Sequence, residues 1–224
     1  MKSCALLAIV FVWVTSTATA LARQASAASI CDTSADLFLA AEDYPEAIRL
    51  HLQVLRRNPN SALAHYHLGF AQGMMGNRRA EVGEYQRAEA LGLRTWDLFL
   101  NLGLAQLENG NLDAATESLR AAVLLGEDHS ESHFNLALVY ERRGMLGDAE
   151  HETLASLRLN PWQQDTRNLL GVIYAREGKI VRAWLVWRDL AREAPDYEPA
   201  RKNLTLLESK VSFPPRETAA VVLP

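Results

Sequence analysis

The sequence predicts an all-α fold assembled from repeated helix-turn-helix units, and three observations carry that prediction. A pattern of small and large apolar residues recurs every 34 residues, without insertion or deletion, from Ala28 to Tyr197. Within each copy the apolar residues follow helical spacing, and no run alternates with the period of a strand. Glycines and prolines return at the same places of successive copies, where they punctuate helices.

The clearest copy is Gln164 to Tyr197. Leu170, Gly171 and Tyr174 share one face of a first helix, and Gly178 breaks it. Ala183, Trp187 and Leu190, at i, i+4 and i+7, form the apolar face of a second helix. Pro195 ends that helix, because proline cannot donate to the helix ladder and clashes with the preceding turn. The small Gly171 and Ala183 let two backbones approach, while Tyr174 and Trp187 fill the space around them. A hairpin this short cannot bury its own face, so copies must stack.

Earlier copies hold the register. Leu170-Gly171 corresponds to Leu136-Ala137, Leu102-Gly103 and Leu68-Gly69, and Gly178 to Gly144, Gly110 and Gly76. Ala183 corresponds to Ala149, Ala115, Glu81 and Ala47, and Pro195 to Pro161, Glu127, Leu93 and Pro59. The units are 28–61, 62–95, 96–129, 130–163 and 164–197. The period, the Leu-Gly pair, Tyr140 and Tyr174 before the turn glycine, the second-helix alanine and the closing proline together resemble the tetratricopeptide repeat family. The resemblance spans about three-quarters of the chain. It implies a right-handed superhelical solenoid of five helix-turn-helix repeats whose concave face binds peptides or partner proteins.

Residues 1–27 stand outside the repeats. Lys2 precedes an apolar run from Cys4 to Val14, and small residues follow. This is the layout of a secretory signal peptide, with cleavage expected between Ala20 and Ala28. The run is shorter than the roughly 18 residues of a clean membrane span; an uncleaved signal anchor is the alternative. The expected location is therefore exported, periplasmic or secreted, or else membrane-anchored. Ile30 before Cys31 argues against a bacterial lipoprotein anchor. With Cys4 in the leader, Cys31 is left alone, which excludes an intramolecular disulfide framework. Cys31 takes the fourth place of its unit, which the resemblance implies packs inside the hairpin.

The first repeat has Ser34-Ala35 in place of Leu-Gly. Its second helix opens on Asp43 and Glu46, a capping box, with Pro45 tolerated in the first turn. Ala47, Leu50 and Val54 form its apolar face. The second repeat has a sound first helix, but Glu81 stands where a small residue belongs, so a local shift is expected there. The third carries Asn111 as a cap. The fourth closes on Asn160-Pro161. After the fifth, 198–210 reads as a capping helix that covers the last hairpin with Leu204 and Leu207. The stretch 211–224, with Pro214, Pro215 and Pro224, reads as a disordered tail.

The resemblance also implies where a partner sits. The concave face would be lined by the second, fifth, ninth, twelfth and thirteenth residues of each first helix. The fifth and ninth places hold Tyr66 and Phe70, Leu100 and Leu104, Phe134 and Leu138, and Asn168 and Val172. Met74 and Leu107 extend this apolar strip, and Arg142 and Arg176 belong to its charged rim with Asp97, Glu108, Glu131 and Glu141. Such a strip suits a peptide or an amphipathic helix; packing between adjacent first helices is the competing use of the same residues. Asn101, Asn135 and Asn203, at the sixth place, are common in repeats and lack the neighbouring cations needed to grip a terminal carboxylate.

Other functions find little support. A formal charge of −4 supplies no basic field for nucleic acid. No phosphate loop, nucleophile elbow or zinc-protease pattern occurs. His129 and His133 lie four apart, yet one closes a repeat and the other points inward. His65 and His67 diverge on a helix, and His51 and His151 are isolated. No metal, cofactor or catalytic residue is expected. The reading is an exported, non-enzymatic scaffold that binds a protein or peptide. Self-association, or service as an accessory subunit of an envelope or secretion complex, is the alternative. Contact with a membrane is expected only through an uncleaved anchor.

Overall fold

A computed structural model describes residues 33–211. The expected leader, the Ala28 start and the 212–224 part of the tail lie outside the described residues. These fold into α1 (Thr33–Ala40), α2 (Tyr44–Arg57), α3 (Ala62–Met74), α4 (Arg78–Ala90), α5 (Trp96–Glu108) and α6 (Leu112–Leu125). α7 (Ser130–Arg142), α8 (Leu146–Leu159), α9 (Gln164–Arg176), α10 (Ile180–Glu193) and α11 (Glu198–Glu208) follow. No strand occurs among the described residues.

The first helices begin at Ala62, Trp96, Ser130, Gln164 and Glu198, the unit starts that the sequence period sets. The turns between paired helices follow from glycine. Gly76, Gly110, Gly144 and Gly178 all have φ of 75–77°, in the left-handed region that ends a helix at low cost only without a Cβ. The first repeat puts Glu42 at this place, with φ 58°. A side chain there costs about 1–2 kcal/mol, partly offset because glycine has more freedom to lose. Glu42→Gly is therefore expected to raise stability by about 0.5–1 kcal/mol, read as a higher urea midpoint with unchanged helix content.

The caps match the expected residues. Asp43 accepts from the Glu46 backbone N–H at 3.3 Å, and Asn111 from that of Ala114 at 3.3 Å. Only half of the first capping box forms, because the Glu46 carboxylate turns to Arg49 instead. The capping helix ends at Glu208, two residues before the expected end.

The chain divides into two compact units, one ending at Ala105 and the other beginning at Gln106. In the first, α1 to α4 pack on their neighbours in sequence, and Tyr85 and Ala88 of α4 form a buried cluster with Leu98, Leu102 and Ala105 of α5. In the second, α7 to α11 pack likewise. There Leu170 and Tyr174 of α9 close on Ala183, Val186, Trp187 and Leu190 of α10 and on Ala200 of α11. The small-and-large pairing operates in both units. A Cβ on Gly69 would lie 2.7 Å from the Tyr85 ring, and one on Gly171 would lie 2.4 Å from Nε1 of Trp187.

Glu81 does not shift the helix. α4 keeps its register because Gly73 leaves room opposite, where a Cβ would meet the Glu81 carboxylate at 2.4 Å. Arg78 holds that carboxylate at 3.1 Å and donates to the Gly73 carbonyl at 3.2 Å. The second repeat thus exchanges a small residue on one helix for a small residue on the other.

Candidate functional site

The fifth, ninth and thirteenth places lie four residues apart, so each first helix presents them as one stripe. On α3, Tyr66 is half-buried, while Phe70 is 37 % exposed and Met74 54 % exposed. Phe70 touches the Tyr44 ring edge-on, with centroids 6.4 Å apart. On α7, Phe134 and Leu138 are half-buried and Arg142 is exposed. On α9, Asn168 and Val172 are half-buried and Arg176 is exposed. Each stripe therefore opens toward the carboxy-terminal end of its helix.

α5 departs from this pattern. Leu104 is half-buried, but Leu100 and Leu107 are buried and present no surface to a ligand. This corrects their assignment to the strip. Leu98, Phe99, Leu100, Leu102, Ala105 and Leu107 are all buried, as expected of a helix that is apolar on nearly every side. Leu107 occupies the twelfth place, about 100° around the helix from the thirteenth, which is Glu108.

Several strip and rim residues are tied to their neighbours. The Tyr66 hydroxyl donates to Asp97 at 2.9 Å and accepts from Asn101 at 3.0 Å. Burial first, and then the Asp97 charge, push the phenol well above its ordinary range, so it stays a neutral donor. Asn168 Oδ1 accepts from Trp187 at 3.0 Å and from Asn203 at 3.0 Å. Arg176 donates to both the carbonyl and the carboxylate of Glu141. Sixth-place asparagine therefore stitches one first helix to the previous one in both units, and Asn135 donates within α7 to Glu131 at 2.9 Å. That role was visible in sequence only as a recurring residue.

Two of the histidines are arranged as the period dictates. His65 and His133 both take the fourth place. Their Nδ1 atoms lie 2.6 Å and 2.7 Å from Glu84 and Glu152, and their Nε2 atoms face the carbonyls of Pro59 and Glu127. They are struts between helix and loop, and His129 turns instead to Asp128 at 3.6 Å. His51, isolated in sequence, packs against His67 with ring centroids 5.3 Å apart. One recess escaped the sequence reading. Leu154, Leu157, Leu170, Tyr174 and Val186 line a cavity of ≈ 530 Å³ among α8, α9 and α10, with Arg158, Pro161, Arg167 and Asp189. Arg167 is paired with Glu193, and Asp189 with Arg188. Among the described residues no helix is long and apolar enough to cross a membrane.

Comparison with known proteins agrees with this geometry. The tetratricopeptide repeat family model matches residues 33–72 and 100–165. No curated protein sequence matches. Among solved structures, YrrB, described as a tetratricopeptide repeat protein with an unusual peptide-binding site, superposes with a TM-score of 0.71 at 23 % identity. The match covers 75 % of this chain and 87 % of that one. A tetratricopeptide repeat protein from Parabacteroides merdae gives 0.71 at 17 % identity, over 79 % and 70 % of the two chains. MamA from Desulfovibrio magneticus gives 0.62 at 17 % identity, over 79 % and 90 %. At these identities the likeness speaks for the fold alone.

Proposed function

We propose that this chain, whose helix pairs are tetratricopeptide repeats, is an exported scaffold that binds an extended peptide or an amphipathic helix of a partner protein. The observation that carries the reading is the apolar surface left open at the ninth and thirteenth places of α3, where Phe70 and Met74 stay exposed in a helix otherwise well packed. In the second unit, half-buried Phe134, Leu138 and Val172 form a stripe of the same apolar character. Arg142, exposed beside them, favours a partner with a carboxylate near its apolar anchors. YrrB, of similar fold, is described as having a peptide-binding site. Tetratricopeptide repeats generally serve as non-enzymatic interaction modules, and the site residues here are apolar anchors and structural hydrogen-bond partners rather than paired acids and bases.

The leader reading supplies the location. A bait tagged at its carboxy terminus and purified from its native host is expected to begin between Arg23 and Ala28 and to carry one stoichiometric envelope protein. A bait that keeps Met1 would make the protein a membrane-anchored scaffold instead. Recovery of bait alone, at a mass above the monomer, would overturn the scaffold reading in favour of self-assembly.

A further inference from the structure

We propose that Asp36, His51 and His67 form a site for a borderline first-row divalent cation of the Zn²⁺ class, clipping α1, α2 and α3 together. One ligating atom from each lies within 4.8 Å of the others. His67 Nδ1 stands 2.8 Å from Asp36 Oδ1, and His51 Nε2 stands 4.0 Å from the same oxygen. Zinc takes imidazole nitrogen and carboxylate oxygen at about 2.0–2.2 Å, so adjacent ligands of a tetrahedral ion lie roughly 3.3 Å apart. The two spacings to Asp36 Oδ1 bracket that edge, and side-chain adjustments of roughly 0.5–1 Å bring the three ligands to it.

The surroundings suit an ion. His51 is fully buried, and both its ring nitrogens and Asp36 Oδ1 are shielded from water. The side chains of His67 and Asp36 remain 20 % and 38 % exposed, which leaves an entry path and room for one solvent ligand. Two imidazoles and one carboxylate with an open fourth position is a metal-binding set.

The repeat register sharpens the inference. His51 takes the place held by Tyr85, Leu119, Thr153 and Trp187 in the other repeats, all buried. The first repeat has put a metal-ligating ring where the others put packing residues, and it has done so opposite an aspartate at the ninth place and a histidine at the sixth. The three ligands come from three successive helices, so an ion bound there stabilises the amino-terminal repeat, whose turn carries the strained Glu42.

The test uses the full chain, purified without a histidine tag, stripped with chelator and titrated with ZnCl₂ by calorimetry. One equivalent is expected to bind and to raise the melting temperature, and Co²⁺ is expected to give the intense visible absorption of a four-coordinate ion. Asp36→Asn and His67→Gln, both at partly exposed positions, are each expected to weaken Zn²⁺ binding at least about tenfold while helix content holds. His65→Gln, which removes a strut outside the cluster, should leave the affinity unchanged. Absence of stoichiometric binding, or binding equally insensitive to Asp36→Asn and His67→Gln, would overturn the site and leave a buried histidine–aspartate contact. Neither outcome bears on partner binding by the apolar strip, which is read separately.

Discussion

Gly171→Trp is expected to unfold the carboxy-terminal helix pairs, at a cost of about 3 kcal/mol or more. A Cβ at this position already lies 2.4 Å from Nε1, 2.6 Å from Cε2 and 2.9 Å from Cδ1 of Trp187. The indole cannot retreat. Its ring is buried among Tyr174, Ala183, Val186 and Leu190, and its N–H is spent on Asn168. Even Gly171→Ala should cost about 1–3 kcal/mol by overpacking. The chain carries its own control. Where alanine takes the glycine's place, at Ala137, the partner place holds Thr153 rather than a large ring. Gly171→Ala with Trp187→Leu should therefore be less destabilised than the two single changes summed. A urea melt followed by circular dichroism reads this, and an unchanged Gly171→Trp melt would contradict the close approach of α9 and α10.

The exchange in the second repeat gives the other large effect. Gly73→Ala is expected to destabilise the chain by about 1–3 kcal/mol, because its methyl meets a carboxylate that Arg78 holds in place. Glu81→Ala alone removes that carboxylate and leaves a gap above Gly73. Together the two changes recreate the pair found in the fifth repeat, Ala175 with Ala183. The Arg78 side chain is 42 % exposed and also donates to the Gly73 carbonyl, so losing Glu81 strands no buried charge, and the double variant should be less destabilised than the two single changes summed. If the single losses simply add, Gly73 and Glu81 do not share the space described.

Much of the fold was legible because the packing of these helix pairs repeats its demands at fixed intervals. Turn glycines need a left-handed φ, the hairpin needs one small residue on each helix, and both requirements leave marks 34 residues apart. Glu81 looked like a defect because its compensation, Gly73, lies on the opposite helix and looks ordinary on its own. The strip was legible in part. A helical wheel orders residues around one helix, but it does not show which neighbours cover them, so Leu100 and Leu107 passed for surface. The Asp36, His51 and His67 cluster was illegible for a related reason. Its members are 15 and 16 residues apart, and only the packing of three helices brings them together.

The most direct measurement is the affinity of the copurified partner for the native chain and for Phe134→Ala/Leu138→Ala, with helix content measured on the same samples. Removing two anchors from the second unit's stripe should weaken binding by about tenfold or more while the circular dichroism spectrum stays native. Loss of helicity with affinity retained would make Phe134 and Leu138 core residues and place the partner elsewhere.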